Sequence, residues 1–104
     1  MGKPVIVSAC GGCLEFCNPD NAILIPSRTI QITKDQADHP CYLSVTSCAE
    51  PDIGAAAEAL RRLHDSPELR RQLGEAGKAF AGKHFAVDSF KSSVKAFLDT
   101  SKVI

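Results

Sequence analysis

Apolar positions fall into two short runs near the amino terminus and three stripes of helical period in the second half. The first run, Val5-Ile6-Val7-Ser8-Ala9, is β-branched, follows Pro4 and stops at Gly11-Gly12, which predicts a buried strand in a parallel sheet. Asn18-Pro19-Asp20-Asn21 is turn chemistry, because proline presets φ while Asn and Asp side chains bond nearby backbone. Ala22-Ile23-Leu24-Ile25 then predicts a second strand, stopped by Pro26. Between Ser27 and Ala49 the pattern weakens. Ile30 and Ile32 alternate once, residues 34–40 read as a polar loop, and Tyr42, Leu43 and Val45 suggest a short strand.

Helical periodicity takes over afterwards. Ile53, Ala56, Ala57, Leu60 and Leu63 form an apolar stripe, with Pro51 suited to a first turn and Asp52 to its positive end. Ser66-Pro67-Glu68 restarts the chain as N-cap, first helical residue and dipole-matched acid. Leu69, Leu73, Ala76 and Phe80 carry the second stripe, with Gly82 near its end. A last helix is expected from about Val87, with Phe90, Val94, Phe97 and Leu98 on one side. Two or three strands followed by three helices do not close a parallel sheet, which needs several strands and helices on both faces. The pattern therefore reads as the second part of an α/β domain, with the helix that should lead into Val5 missing.

At 104 residues the chain is one domain at most. Twelve basic and twelve acidic residues cancel, so no charge footprint for nucleic acid or anionic membrane is expected. No apolar run is long enough to span a bilayer, and the amino terminus lacks the basic and long apolar regions of a signal peptide. The expectation is a soluble, cytoplasmic protein. Five cysteines cannot close into a complete set of bridges, and reduced thiols follow from that compartment.

Three stretches carry a resemblance: "GKPVIVSACGGCLEF", "NPDNAILIP" and "AEPDIGAAAEALRRLHDSPELRRQLGEAGKAF". Together they resemble the C-terminal end of GT-B-fold glycosyltransferases, in particular the retaining family 4 enzymes (glycosyl transferases group 1). That family often reads G-K-P-V-I, a small-residue turn, an E/D-N-x-x-L-I/V-P strand, an A-E-P-D helix and a D-x-P-E-x-x-R-x-L-G helix. The likeness runs in order over residues 2 to about 85. It implies a Rossmann-like domain whose last strands and helices are residues 1–104, and a parent activity of sugar transfer from a nucleotide-sugar donor to an acceptor. It places the turn bearing Ser8, Gly11, Gly12 and Glu15 near the donor. It also implies that the final helix leaves its own domain to pack on another. The family's paired glutamates (E-x7-E) lie just before the Gly-Lys-Pro and are absent there, as are the upstream phosphate-binding Arg and Lys and the acceptor domain. No catalytic residue, metal ligand or cofactor is therefore assigned, and the isolated chain is expected to be inactive.

The cysteines of "SACGGCLEFC" raise two other chemistries. Cys10 and Cys13 form one close pair, and Cys41, Cys48 and His39 would have to complete a zinc site without a second Cys-x-x-Cys. A thioredoxin-type site also follows a strand, but Pro19 leaves room for only a very short helix after Cys13. The preferred reading makes the cysteines small fillers of a buried turn, with Gly11 and Gly12 permitting positive φ or close approach. Glu15 reads equally as a ligand-edge carboxylate or a solvated acid. His39, His64 and His84, and the pairs Arg61-Arg62 and Arg70-Arg71, are expected on solvated surface. Two other functions remain beside the glycosyltransferase reading. One is a stand-alone, non-catalytic module that self-associates; the other is a small zinc or thiol protein. An apolar strand edge and an uncovered last helix lead to the expectation of a homo-oligomer, or of a missing N-terminal part.

Overall fold

The computed structural model describes residues 1–33 and 47–101. Its elements run in the order β1 (Ile6–Ser8), a 3-10 helix (Gly11–Glu15), β2 (Ile23–Ile25), β3 (Ser27–Gln31), β4 (Ser47–Pro51), α1 (Ile53–Asp65), α2 (Pro67–His84) and α3 (Val87–Ser101). The class is mixed α/β. β1 and β2 pair in parallel with Ile6 opposite Ile23 and Ser8 opposite Ile25, so the first two expected strands form as a parallel pair. β3 and β4 instead make a separate antiparallel pair, Ser27 opposite Pro51 and Gln31 opposite Ser47. Where two or three parallel strands were expected, the described residues hold two that are parallel and two that are not. The suggested strand at Tyr42, Leu43 and Val45, and the loop of residues 34–40, lie outside the described residues.

Local chemistry fixes the helix starts. Asp52 is the N-cap of α1 and its carboxylate accepts from the Ala55 amide at 2.8 Å. Pro51 closes β4 instead of opening the helix. Ser66 caps α2, its Oγ accepting from the Leu69 amide at 3.1 Å, and Pro67 takes the first turn, where its missing N–H costs nothing. Arg70 ties the two helices together by donating to the carbonyls of Leu63 and, at 2.8 Å, His64. These belong to the last turn of α1, whose carbonyls have no partner within the helix. Arg70 is thus a capping residue, whereas Arg61 and Arg71 have the expected place on solvated faces, paired with Glu58 and with Glu68 and Glu75.

The buried apolar side chains among the described residues are Cys17, Ala22, Ile25, Ala59, Leu63 and Leu73. They lie where α1 packs on β1, β2 and α2. The amino-terminal segment lies across α2 at Gly74, where an added Cβ would run into the Gly2 carbonyl, 2.8 Å from its carbon. Of the expected α1 stripe, Leu63 is buried and Ala56 and Ala57 are half-buried, but Ile53 and Leu60 are turned outward. Ala59 and Leu63 face inward, while Ile53 and Leu60 are 81 % and 63 % exposed. A small-residue face lets the helix approach the strands closely, and the bulkier stripe, roughly a quarter-turn around the helix at 100° per residue, is left outside. α3 contributes no buried residue. The Cα radius of gyration is 18.4 Å, with extents of 50 × 43 × 18 Å. A compact domain of about 100 residues has a radius near 13 Å. The fold is open and flat.

Candidate functional site

Ser8, Gly11, Gly12 and Glu15 fall in one continuous turn at the carboxyl end of β1. Ser8 is the last strand residue, and its carbonyl accepts from the Cys10 amide at 2.8 Å. The Ala9 amide donates to the Ile25 carbonyl at 2.8 Å, which holds the start of the turn against the end of β2. Gly11 has φ +64°, the left-handed region that a Cβ disfavours, whereas Gly12 continues into the 3-10 helix without positive φ. Only one of the two glycines is therefore needed for the bend. Both face open space, since an added Cβ at either would meet nothing within 4 Å. Glu15 ends the 3-10 helix on the exposed side.

The return to β2 is built by asparagines. Asn21 is buried; its Oδ1 accepts from the Asn18 amide and its Nδ2 donates to the Phe16 carbonyl, both at 2.9 Å. Asn18 Oδ1 accepts from the Asp20 amide at 2.9 Å. These bonds supply the backbone partners that a helix would otherwise provide in a parallel crossover. Residues 9–22 thus link two parallel strands with a single short helix.

The cysteines divide by position. Cys17 is buried and does fill the turn, whereas Cys10 and Cys13 are half-buried and Cys48 is exposed on β4. Burial pushes the Cys17 thiol up from its ordinary pKa, and the neighbouring Cys13 adds to the effect. A raised pKa is opposite to the depressed value of a reactive thiol. Among the described residues no three His, Cys, Asp or Glu side chains converge on a possible metal position. Cys41 and His39, needed for the second half of a zinc site, lie outside those residues. His64 and His84 are exposed, as expected, and His84 stacks on Phe80 at 4.2 Å between ring centroids.

A second feature lies just past the carboxyl end of β2. Pro26, Arg28, Glu50, Asp52 and Ile53 help line an open depression of roughly 530 Å³. Arg28 and Glu50 face each other across β3 and β4, and Nε and Nη2 donate to one carboxylate oxygen at 2.7 and 2.6 Å. Because Ser8 and Ile25 are in register, this depression and the glycine turn leave the same edge of the parallel pair. Ligands of α/β sheets bind at that edge. Sequence reasoning missed these residues, since a charge pair 22 positions apart becomes visible only once the two strands are aligned. Glu50 and Glu58 have the E-x7-E spacing, but they sit on a strand and a helix and are held in separate surface pairs with Arg28 and Arg61. No helix among the described residues is long and apolar enough to cross a membrane.

Compared with protein-family models, curated proteins and solved structures, the chain matches none.

Proposed function

We propose that the chain is the C-terminal portion of the nucleotide-sugar-binding domain of a GT-B glycosyltransferase of the retaining family 4 type, and that residues 8–15 form part of its donor-side edge. The observation that carries this reading is the parallel β1–β2 pair with an open glycine turn at its carboxyl end. That is the place where an α/β sheet presents backbone to a nucleotide. The order of α1 and α2 after the sheet, with Asp52 and Ser66 as caps, agrees with the A-E-P-D and S-P-E segments of the resemblance. Exposed apolar residues on both sides of the fold support an incomplete domain. Ile53 and Leu60 make a second apolar face on α1, and among the described residues no further strand pairs with β1 or β2.

The donor chemistry follows from what residues 8–15 can offer. Open glycines allow a phosphate or ribose to approach the backbone amides of the turn, and the Ser8 hydroxyl and Glu15 carboxylate supply flanking polar groups. Charge to stabilise a departing diphosphate would come from outside these residues. Titration of the isotopically labelled chain with UDP, GDP and ADP tests the site. Amide shifts should concentrate in residues 8–15 for at least one nucleotide. Shifts absent there, or spread evenly over α2 and α3, would refute the assignment. The alternative of a self-associating, non-catalytic module draws its support from the same exposed apolar residues and predicts no nucleotide response.

A further inference from the structure

The apolar residues of α3 follow a coiled-coil seam. Val87, Phe90, Val94 and Phe97 are separated by steps of three, four and three, and Leu98 lies beside them. This spacing is that of residues which pack between two helices. None of the five is buried, and Phe90 and Phe97 are 70 % and 66 % exposed.

We propose that in the 104-residue chain this face is an interface between two copies, packed as an antiparallel helix pair; in a longer glycosyltransferase the same face would instead be the one that packs on the other domain. An aromatic side chain buries about 150–250 Å², so the exposed parts of these residues offer roughly 400–550 Å² of apolar surface per copy. A standard interface covers about 800 Å² per partner, and its apolar share, about 55–65 %, is of that size. The seam alone thus supplies the apolar centre of a stable dimer. Antiparallel packing sets Val87 opposite Phe97 and Phe90 opposite Val94, so that every layer joins one large and one small side chain. It also opposes the two helix dipoles. Leu98 of the second copy then falls beside Ala86, next to the groove of about 410 Å³ lined by Phe85, Val87 and Phe90. Charge argues against a lipid surface as the occupant. Over Val87–Ser101, Asp88 and Asp99 offset Lys91 and Lys95, leaving no net attraction to anionic headgroups.

Sedimentation equilibrium of the reduced 104-residue chain over a range of concentrations tests the interface. The wild type should approach twice its 11.1 kDa mass. The double variant Phe90→Ser/Phe97→Ser removes each ring twice per dimer and should weaken association at least about thirtyfold. Val94→Lys, a single change at an exposed helical position, should do the same with circular dichroism unchanged. Ile53→Ser/Leu60→Ser, which alters the other exposed apolar face, should leave the dimer intact. A wild type that is monomeric throughout overturns the proposal, as does a dimer lost with the α1 variant and kept by both α3 variants. Flotation of monomeric chain with phosphatidylserine vesicles would overturn it in favour of a membrane surface. Isotope-filtered contacts should join Val87 methyls to the Phe97 ring; Phe97-to-Phe97 contacts would overturn the antiparallel pairing.

Discussion

Replacing Gly74 by alanine should destabilise the fold, although the same change usually strengthens a helix. At an ordinary interior position of a helix, alanine is favoured over glycine by about 1 kcal/mol. Gly74, however, is buried in α2 beneath the amino-terminal segment. Its new Cβ would press on the Gly2 carbonyl, 2.8 Å from the carbon and closer still to the oxygen. Backbone cannot rotate away as a side-chain tip does, so residues 1–4 must lift off α2 or the helix must shift. Overpacking costs about 1–3 kcal/mol; against backbone the upper part of that range applies, about 2–3 kcal/mol, which outweighs the propensity gain and leaves a net loss of about 1–2 kcal/mol. In a chain of this size that corresponds to a Tm lower by about 5–15 °C. Gly82 is the control, because an added Cβ there meets nothing within 4 Å. Gly82→Ala should raise stability by about 0.5–1 kcal/mol. Both variants should be unfolded thermally and in urea beside wild type at one protein concentration, since association shifts Tm. Gly74→Ala as stable as wild type would refute the packing of the amino-terminal segment on α2.

Asn21→Ala should cost about 1–3 kcal/mol, because the Phe16 carbonyl and Asn18 amide both lose their partner in a part-buried turn; urea unfolding reads it, and an unchanged midpoint would contradict it. Burial raises the Cys17 pKa above its ordinary 9.0, so the folded state holds that proton more tightly than the unfolded chain. Stability from this source is intact below pH 9 and declines as pH rises through the folded pKa; unfolding from pH 8 to 11 should show the decline in wild type and a shallower slope in Cys17→Ala. Thiol titration in denaturant under reducing conditions should count five cysteines, and of Cys10, Cys13, Cys17 and Cys48 it is Cys17 that should react slowest in the native protein; stoichiometric zinc in the pure chain would contradict a free-thiol state. The 104-residue chain by itself should transfer no sugar from any nucleotide-sugar donor, because the paired glutamates that the resemblance expects ahead of the Gly-Lys-Pro are not among these residues; measurable transfer would refute that dependence.

How much of this was legible in the sequence depends on where each element gets its stability. β1 and β2 are apolar β-branched runs with punctuation at both ends, and the helices announce themselves through Asp52, Ser66-Pro67 and period. β3 and β4 were not legible as a pair. Ser27–Gln31 has a single buried-side isoleucine, and Ser47–Pro51 has no β-branched residue at all. Their strand character arises from mutual pairing and the Arg28–Glu50 bridge, which intrinsic preference does not reveal. In α1 the apolar stripe was visible, but period alone cannot tell which of two apolar faces turns inward. The inward face is shared by Ala59, which suits a close approach to the strands, and Leu63 of the visible stripe, leaving Ile53 and Leu60 outside. At the candidate site, the Gly11-Gly12 turn after the first apolar run was readable from the residues, whereas the choice of Ser8, Gly11, Gly12 and Glu15 as a site came from the resemblance. The depression beside Arg28 and Glu50 was not readable, because it depends on strand register.

As proposed, residues 1–104 would be the end of a longer nucleotide-sugar-binding domain. The intact mass and amino-terminal peptides of the native polypeptide carrying the sequence "GKPVIVSACGGC" test it most directly. That polypeptide should weigh well above 11.1 kDa and carry an E-x7-E pair in the peptides immediately preceding Gly2. A native polypeptide of 11.1 kDa beginning at Met1 would contradict it.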